Sequence, residues 1–277
     1  MSGLVSVNIM GGLGNQMFQL ATAYAYTKQN NGKLIVLRNK MESDGRSLYW
    51  DNMLYRFQDF LVDKLPEGLE RWNESGPTEF GIIPSLTSKG LYISGYLQSP
   101  QYFGNDKIQQ EIKELFEPSH TTMCNIQDKY NLLFKNKERA VIVHARRTDY
   151  LKNQDIINFH GPLSIDYYKE AIKKMSNEIE NPLFILASDD PAFWTSVINE
   201  LPQLNSENIY ILDNENEINT LALLQQFQYF IIANSTFSWW AAWLSKDPKK
   251  VIAPSKWFGP TGPQNYKDIY MPSWELI

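Results

Sequence analysis

Along the chain, short apolar runs repeatedly end at a polar or glycine-rich cluster, and a stretch of helical periodicity follows. Residues 4–10 set Val5, Val7 and Ile9 between polar or small neighbours, the alternation of a first strand. Gly11-Gly12-Leu13-Gly14 ends the run, and residues 15–29 carry Phe18, Ala21, Ala25 and Tyr26 toward one face of a helix. Residues 33–37 predict a second strand, residues 38–90 break into short helices and loops, and residues 90–98 predict a strand and its exit. Ile108, Ile112, Leu115 and Phe116 mark an amphipathic helix over 106–116, stopped by Pro118. The polar stretch 117–128 reads as a linker.

The second half is more regular. Strands are predicted over 140–143, 183–187, 209–212, 229–233 and 251–253. Between them lie a helix over 165–178 with Ser164 as its cap, one opened by Pro191, one over 218–227, and one rich in Trp and Ala after residue 238. Strands alternating with helices mean parallel β-α units. The expected fold is α/β, with domains over 1–130 and 131–277.

Polar side chains gather where strands end, the edge at which open α/β sheets bind ligands. His144, Arg146, Arg147 and Asp149 follow the strand at 140–143, Ser188-Asp189-Asp190 the next, and Asn234-Ser235-Thr236-Phe237-Ser238 the strand at 229–233. Two guanidiniums suit a diphosphate, each gripping two oxygens in a flat fork; the alternative is an arginine paired with Asp149 to tie the loop. The third cluster opens a helix whose first amides suit phosphate, although Ser235 or Thr236 also suits a plain helix cap. Together the three clusters describe a nucleotide site.

The glycine loop is a strand-turn-helix of the kind that presents N–H groups to an anion. It is not a P-loop, because Asn15-Gln16 stands where Lys-Ser/Thr would. Nor is it a dinucleotide fingerprint, because Met17 occupies the third glycine position and residues 32–38 hold no acid. A tight turn needed only for packing is the other reading.

Composition narrows the classes. A net charge of −5 lacks the basic surface of a duplex-DNA binder. Cys124 is the only cysteine, so no intramolecular disulfide forms, and with no histidine evident near it a catalytic thiol is not expected. The chain shows no Asp-x-Asp metal signature. Asp213, Glu215 and Glu217 read as a solvated acidic turn, and His120, His144 and His160 have no zinc spacing. No metal or other cofactor is expected. With no signal peptide or apolar span recognised, the expected location is cytoplasmic, with peripheral membrane contact left open.

Three motifs in order, Gly11-Gly12-Leu13-Gly14-Asn15-Gln16-Met17-Phe18-Gln19, His144-x-Arg146-Arg147-x-Asp149-Tyr150 and Asn234-Ser235-Thr236-Phe237-Ser238-Trp239-Trp240-Ala241, resemble those of the α-1,2-fucosyltransferases of glycosyltransferase family 11. The arginine motif is shared with α-1,6 and protein O-fucosyltransferases; the first motif and the Trp-Trp-Ala segment point to the α-1,2 family. The resemblance implies a GT-B fold, two Rossmann-like domains facing across a cleft, with the acceptor on the first and the donor on the second. It also implies inverting, metal-independent transfer of L-fucose from GDP-β-L-fucose to the 2-hydroxyl of a galactoside glycan.

By that analogy Arg146 or Arg147 grips the β-phosphate, Ser235, Thr236 and Phe237 hold phosphate at a helix start, and Asp189 or Asp190 lies near guanine or ribose. Gly12, Gly14, Asn15 and Gln16 approach the pyrophosphate or fucose. His144, Ser188, Asn234 and Ser238 complete the expected donor set. Inversion needs at most one general base, for which Asp149, then His160, then Asp155 are the candidates. The competing readings are a GDP-fucose enzyme forming an α-1,6 or α-1,3 link, and a non-catalytic module that binds a GDP-sugar or glycan.

Overall fold

The computed structural model describes residues 3–38, 47–213 and 215–277. Part of the irregular stretch expected over 38–90, residues 39–46, lies outside the described residues. The first half forms β1 (Leu4–Val7), α1 (Leu13–Gln29), β2 (Lys33–Leu34), β3 (Val36–Leu37), β4 (Leu61–Val62), β5 (Glu70–Asn73), β6 (Leu91–Ser94) and α2 (Asp106–Leu115). The second forms α3 (His120–Lys129), α4 (Asn131–Lys135), β7 (Ala140–Ala145), α5 (Gln154–His160), α6 (Ile165–Glu178), β8 (Leu183–Ser188), α7 (Pro191–Val197), β9 (Ile209–Ile211), α8 (Glu217–Leu224), β10 (Tyr229–Ile231), α9 (Thr236–Leu244), β11 (Lys250–Ala253) and β12 (Glu275–Leu276).

These elements make two compact units. Unit 1 comprises Met1–Pro118 and Asn265–Met271; unit 2 comprises Ser119–Gln264 and Pro272–Ile277. The limits differ from the expected 1–130 and 131–277. The expected linker is helix α3, capped by the Ser119 hydroxyl, which accepts from Thr122 N. Its Ile126 is buried, and its Met123 sulfur accepts from Gln226 just beyond α8, so α3 belongs to unit 2. The short return of residues 265–271 is fixed in unit 1 by Thr78 Oγ1, which donates to Asn265 O at 3.0 Å, and by Phe80 N, which donates to Asp268 Oδ2 at 3.0 Å.

Unit 1 is built on a parallel sheet in the order β2-β1-β6-β5, with a separate parallel pair β3-β4. Helix α1 is buried on nearly every side. This is the expected state of a helix apolar all round rather than striped. Unit 2 is built on a six-stranded parallel sheet, β12-β11-β10-β7-β8-β9. Its central strands are apolar along most of their length because both faces are covered. Tyr168, Ile172 and Met175, spaced along one face of α6, pack with Trp194 against Val141, Val143 and Phe184. Each such side chain contributes roughly 1.5–3 kcal/mol by leaving water.

The strand order reverses direction at β7 and β10 in unit 2. Ligands of open α/β sheets bind at such a switch point, beyond the carboxyl ends of the strands. The clusters after β7, β8 and β10 leave from that edge.

Candidate active site

Strand β7 runs two residues further than its apolar core, so His144 lies within the sheet and Arg146 is the first residue outside it. The two adjacent arginines then separate in role. Arg146 is paired through its Nε with Asp149 Oδ1 at 2.8 Å and through a terminal nitrogen with Asp149 Oδ2 at 2.7 Å, with Asp189 Oδ2 at 3.2 Å. Burial alone would lower its affinity for the proton, but the two carboxylates override this and hold it firmly cationic. Among the described residues Arg147 has no carboxylate partner of this kind: its guanidinium lies 4.4 Å over the Phe193 ring and reaches only Leu163 O, at 3.4 Å, while its buried Nε meets no acceptor. Of the two, Arg147 is the cation left for an anionic ligand.

Asp189 builds the loop that carries it. One oxygen accepts from Arg147 N at 2.7 Å; the other accepts from Thr148 N at 3.2 Å and from the Thr148 hydroxyl at 2.5 Å. The expectation that Asp189 contacts guanine or ribose gives way to this frame, since its oxygens already serve three donors. Asp190, by contrast, precedes Pro191 at the start of α7 and makes no cap bond with its side chain. Its N–H is bonded to the Ser188 hydroxyl at 3.0 Å, which fixes the turn.

Asp149 led the candidates for general base. Both its oxygens are taken by Arg146. Burial would raise its pKa, but the hydrogen bonds and charge of Arg146 outweigh burial and hold it below the ordinary carboxylate value. It is the partner of an arginine, the alternative the spacing allowed. His160 ends α5 and stacks on Tyr150, ring centroids 4.1 Å apart and planes within 8°. Asp155 lies in the first turn of that helix, whose cap is Asn153. The segment therefore forms a short helix.

Asn234, expected to touch the ligand, is 2% exposed and directed inward. Its amide nitrogen reaches His160 O, Gly161 O and Trp257 O at 2.7, 3.1 and 3.0 Å, and its own carbonyl accepts from the Tyr150 hydroxyl at 2.9 Å. Ser238 is likewise internal, its hydroxyl donating to Ala233 O and Ser235 O. Ser235 is the N-cap residue of α9 without a cap bond from its side chain, and Thr236 and Phe237 form the first turn. A helix start of this kind presents N–H groups that have no acceptor within the helix, together with the positive end of the dipole.

His144 lies beneath this turn, its ring 5.4 Å from Phe237 and its carbonyl accepting from the Tyr168 hydroxyl. Burial holds the imidazole well below its ordinary value of 6.5, against the pull of the Asp189 carboxylate and with the push of Arg146. Its Nδ1 has no partner among the described residues. An unfolded His144 takes up a proton as pH falls through 6.5, whereas the folded one resists. The unfolded state then binds more protons, and stability falls with pH. From pH 7 to pH 5 this loss is on the order of 1–2 kcal/mol. Urea titrations at the two pH values should show His144→Phe losing less between them than the parent; an equal loss would mean that His144 is not held neutral.

In unit 1 the glycine loop is a close-approach turn. Gly11 has φ +81°, and a Cβ there would lie 2.4 Å from the Asn15 side chain. The Gly12 carbonyl accepts from Asn15 N and Gln16 N, and Gly12 is the N-cap of α1, with Gly14 buried in its first turn. Gln16 is fully buried and donates to Gly11 O and Ser47 O. Gln19 bridges both backbone groups of Met10. Asn15 Oδ1 accepts from Gln98 Nε2 at 3.0 Å. The loop's polar side chains thus largely fasten the loop itself. Gln98 and Phe193 were missed by sequence reasoning: each stands singly, without a cluster to flag it.

Glu215, in the acidic turn, accepts from Lys129, the Tyr130 hydroxyl and Asn219. Among the described residues no three His, Cys, Asp or Glu side chains gather as a metal site requires. Helix α3 also brings His120 one turn from Cys124, its Nδ1 3.7 Å from the sulfur, a neighbour that the linker reading concealed. Among the described residues no helix is long and apolar enough to cross a membrane.

An Alpha-1,2-colitosyltransferase of Escherichia coli is 30% identical over 275 residues, covering 92% of each chain. The O-antigen biosynthesis glycosyltransferase WbnK of Escherichia coli is 28% identical over 305 residues, covering 96% of this chain and 98% of that one. The Galactoside 2-alpha-L-fucosyltransferase SEC1 of Bos taurus is 26% identical, covering 88% of this chain and 65% of that one. Among solved structures, POFUT1 in complex with GDP-fucose superposes with a TM-score of 0.55 at 14% identity, covering 91% of this chain and 98% of that one. That likeness is one of fold, and the fold is the expected GT-B type, an α/β chain with parallel sheets. The sequence model of glycosyl transferase family 11 matches residues 1–277, and the chain belongs to that family.

Proposed function

We propose that this chain transfers L-fucose from GDP-β-L-fucose to the 2-hydroxyl of a terminal galactose on a glycan, inverting the anomeric carbon and using no metal. The observation that carries the reading is Arg147, a half-buried guanidinium without a carboxylate partner at the switch point of unit 2. As GDP departs, negative charge grows on the β-phosphate and the sugar gains oxocarbenium character. A cation aimed at that phosphate stabilises the transition state more than the ground state. The start of α9 supplies amides and hydroxyls to the same diphosphate, and Asp190 is assigned to the guanine or ribose. Unit 1, with its glycine loop, is assigned to the acceptor.

The names of the relatives support α-1,2 linkage, a galactoside acceptor and, through POFUT1, GDP-fucose as donor. The colitosyltransferase favours a second reading. Colitose is fucose without its 3-hydroxyl, so GDP-colitose would present the same diphosphate to Arg147.

GDP release, followed with GDP-fucose and a panel of β-galactosides, tests the proposal. Release should depend on acceptor and persist in chelator, and the product should carry an α-1,2 link. Activity lost in chelator and restored by magnesium or manganese would overturn the metal-free part. Turnover of GDP-colitose alone would transfer the assignment to the second reading. GDP binding without turnover of either donor would favour a binding module.

A further inference from the structure

The two adjacent arginines are held by opposite kinds of partner. Carboxylates fix Arg146 and balance its charge. An aromatic face fixes Arg147: its guanidinium carbon lies 4.4 Å from the centre of the Phe193 ring. Among the described residues its Nη1 makes the one long bond to Leu163 O, and its Nη2 makes none. The Nε is enclosed, whereas the residue as a whole is partly exposed, so a ligand meets the terminal nitrogens.

The ring that lies against this guanidinium is itself firmly seated. Phe193 stands in the first turn of α7, where its N–H donates to Asp190 O at 3.1 Å. Two buried rings back it, Trp194 at 4.9 Å and Tyr168 at 6.1 Å between centroids. Trp194 Nε1 donates to Ala187 O at 3.0 Å, and the Tyr168 hydroxyl donates to His144 O at 3.3 Å. Ala187 and His144 are register partners on β8 and β7, so both braces start from one rung near the carboxyl end of the sheet. The same segment, 187–194, supplies Asp189, which accepts from Arg147 N at 2.7 Å. Asp189 thus holds the backbone of the arginine and Phe193 holds its head.

An arginine side chain has many rotamers, and choosing one at the moment of binding costs conformational entropy. A carboxylate would make the choice in advance, as Asp149 does for Arg146, but would neutralise the charge that an anionic ligand needs. A ring face attracts the guanidinium through its quadrupole and aligns it, while the in-plane N–H groups stay available. A leucine would fill much of the space beside Tyr168 and Trp194 but has no face to align a guanidinium. Packing alone therefore does not call for a ring here.

We propose that Phe193 is a positioning residue of the transfer, holding the Arg147 guanidinium in the plane that meets the β-phosphate of the donor; this rests on the function proposed above. Every residue of the arrangement lies in unit 2. Arg147 makes the contact with phosphate. Phe193 sets its orientation before the donor arrives, so the cation need not reorganise as negative charge grows on the leaving group.

The test is Phe193→Leu, read in steady-state transfer. Its kcat should fall at least about tenfold, with the donor KM changed less. Phe193→Tyr keeps the ring face and should stay within about threefold of the parent. In an Arg147→Ala background Phe193→Leu should slow transfer no further, because the group it positions is gone. A merely structural defect would slow both backgrounds alike. Equal losses in the two backgrounds, or a parent-like kcat in Phe193→Leu, would overturn the proposal. The nitrogen-15 and proton resonance of the Arg147 Nε–H, assigned by its absence from Arg147→Ala, reads the contact in the parent protein alone. It should lie upfield of other arginines because of the ring beneath it, and an ordinary position overturns the proposal. If the parent turns over no donor, the functional reading has failed on its own, and this resonance still decides whether Phe193 holds Arg147.

Discussion

Arg147→Ala is expected to slow sugar transfer by about a thousandfold while the protein remains folded. Removing a single donor aimed at developing negative charge commonly costs about 3–4 kcal/mol of transition-state stabilisation. Arg147 qualifies because Arg146 alone takes up Asp149, leaving its neighbour's charge without a carboxylate partner of that kind. The structural loss is confined to the contact with the Phe193 ring and a 3.4 Å bond to Leu163 O. The contact with the ring is worth on the order of 1 kcal/mol. Arg147→Lys retains the charge but not the fork, and should fall between the parent and the alanine variant. Single-turnover rates beside thermal midpoints measure both effects. A parent-like rate in Arg147→Ala would remove the phosphate assignment.

Asp189→Ala is expected to lose both stability and activity. The carboxylate serves Arg147 N, Thr148 N and the Thr148 hydroxyl, and it neutralises Arg146. Deleting it leaves two backbone N–H groups without acceptors, each costing about 1–3 kcal/mol where water cannot replace the partner. A combined loss of roughly 2–4 kcal/mol is expected in urea unfolding, with transfer reduced at least a hundredfold because the arginine loop is no longer held. Asp189→Asn preserves one acceptor oxygen and should recover part of the stability. An alanine variant with parent stability and reduced donor affinity alone would mean that Asp189 contacts the nucleotide after all.

The contrast between these two residues shows what the chain's chemistry reveals and what it conceals. Apolar runs ending in polar clusters identified the parallel β-α units and the edge where the clusters lie, because burial on both faces leaves a readable signature in strands such as β7 and β8. Residue type alone did not divide frame from ligand-facing groups. Asn234 and Ser235 are adjacent and equally polar, yet one is directed into three carbonyls and the other opens a helix. That division depends on Gly161 and Trp257, distant in sequence. Helix α3 escaped notice because Ile126 is its one buried side chain, too little to give a periodicity.

The return of residues 265–271 to unit 1, followed by β12 in unit 2, bears on how the molecule is made. A chain synthesised from its N-terminus exposes the unit 1 sheet early, but Ile269, fully buried in the folded protein, and the partners of Thr78 and Phe80 emerge only after the main segment of unit 2. The same final stretch supplies the edge strand beside β11. Unit 1 cannot close its structure until the residues of unit 2 up to Gln264 have been made, although many two-domain chains complete the first domain during translation. A nascent chain stalled at about residue 264 therefore holds two unfinished units rather than one finished and one pending.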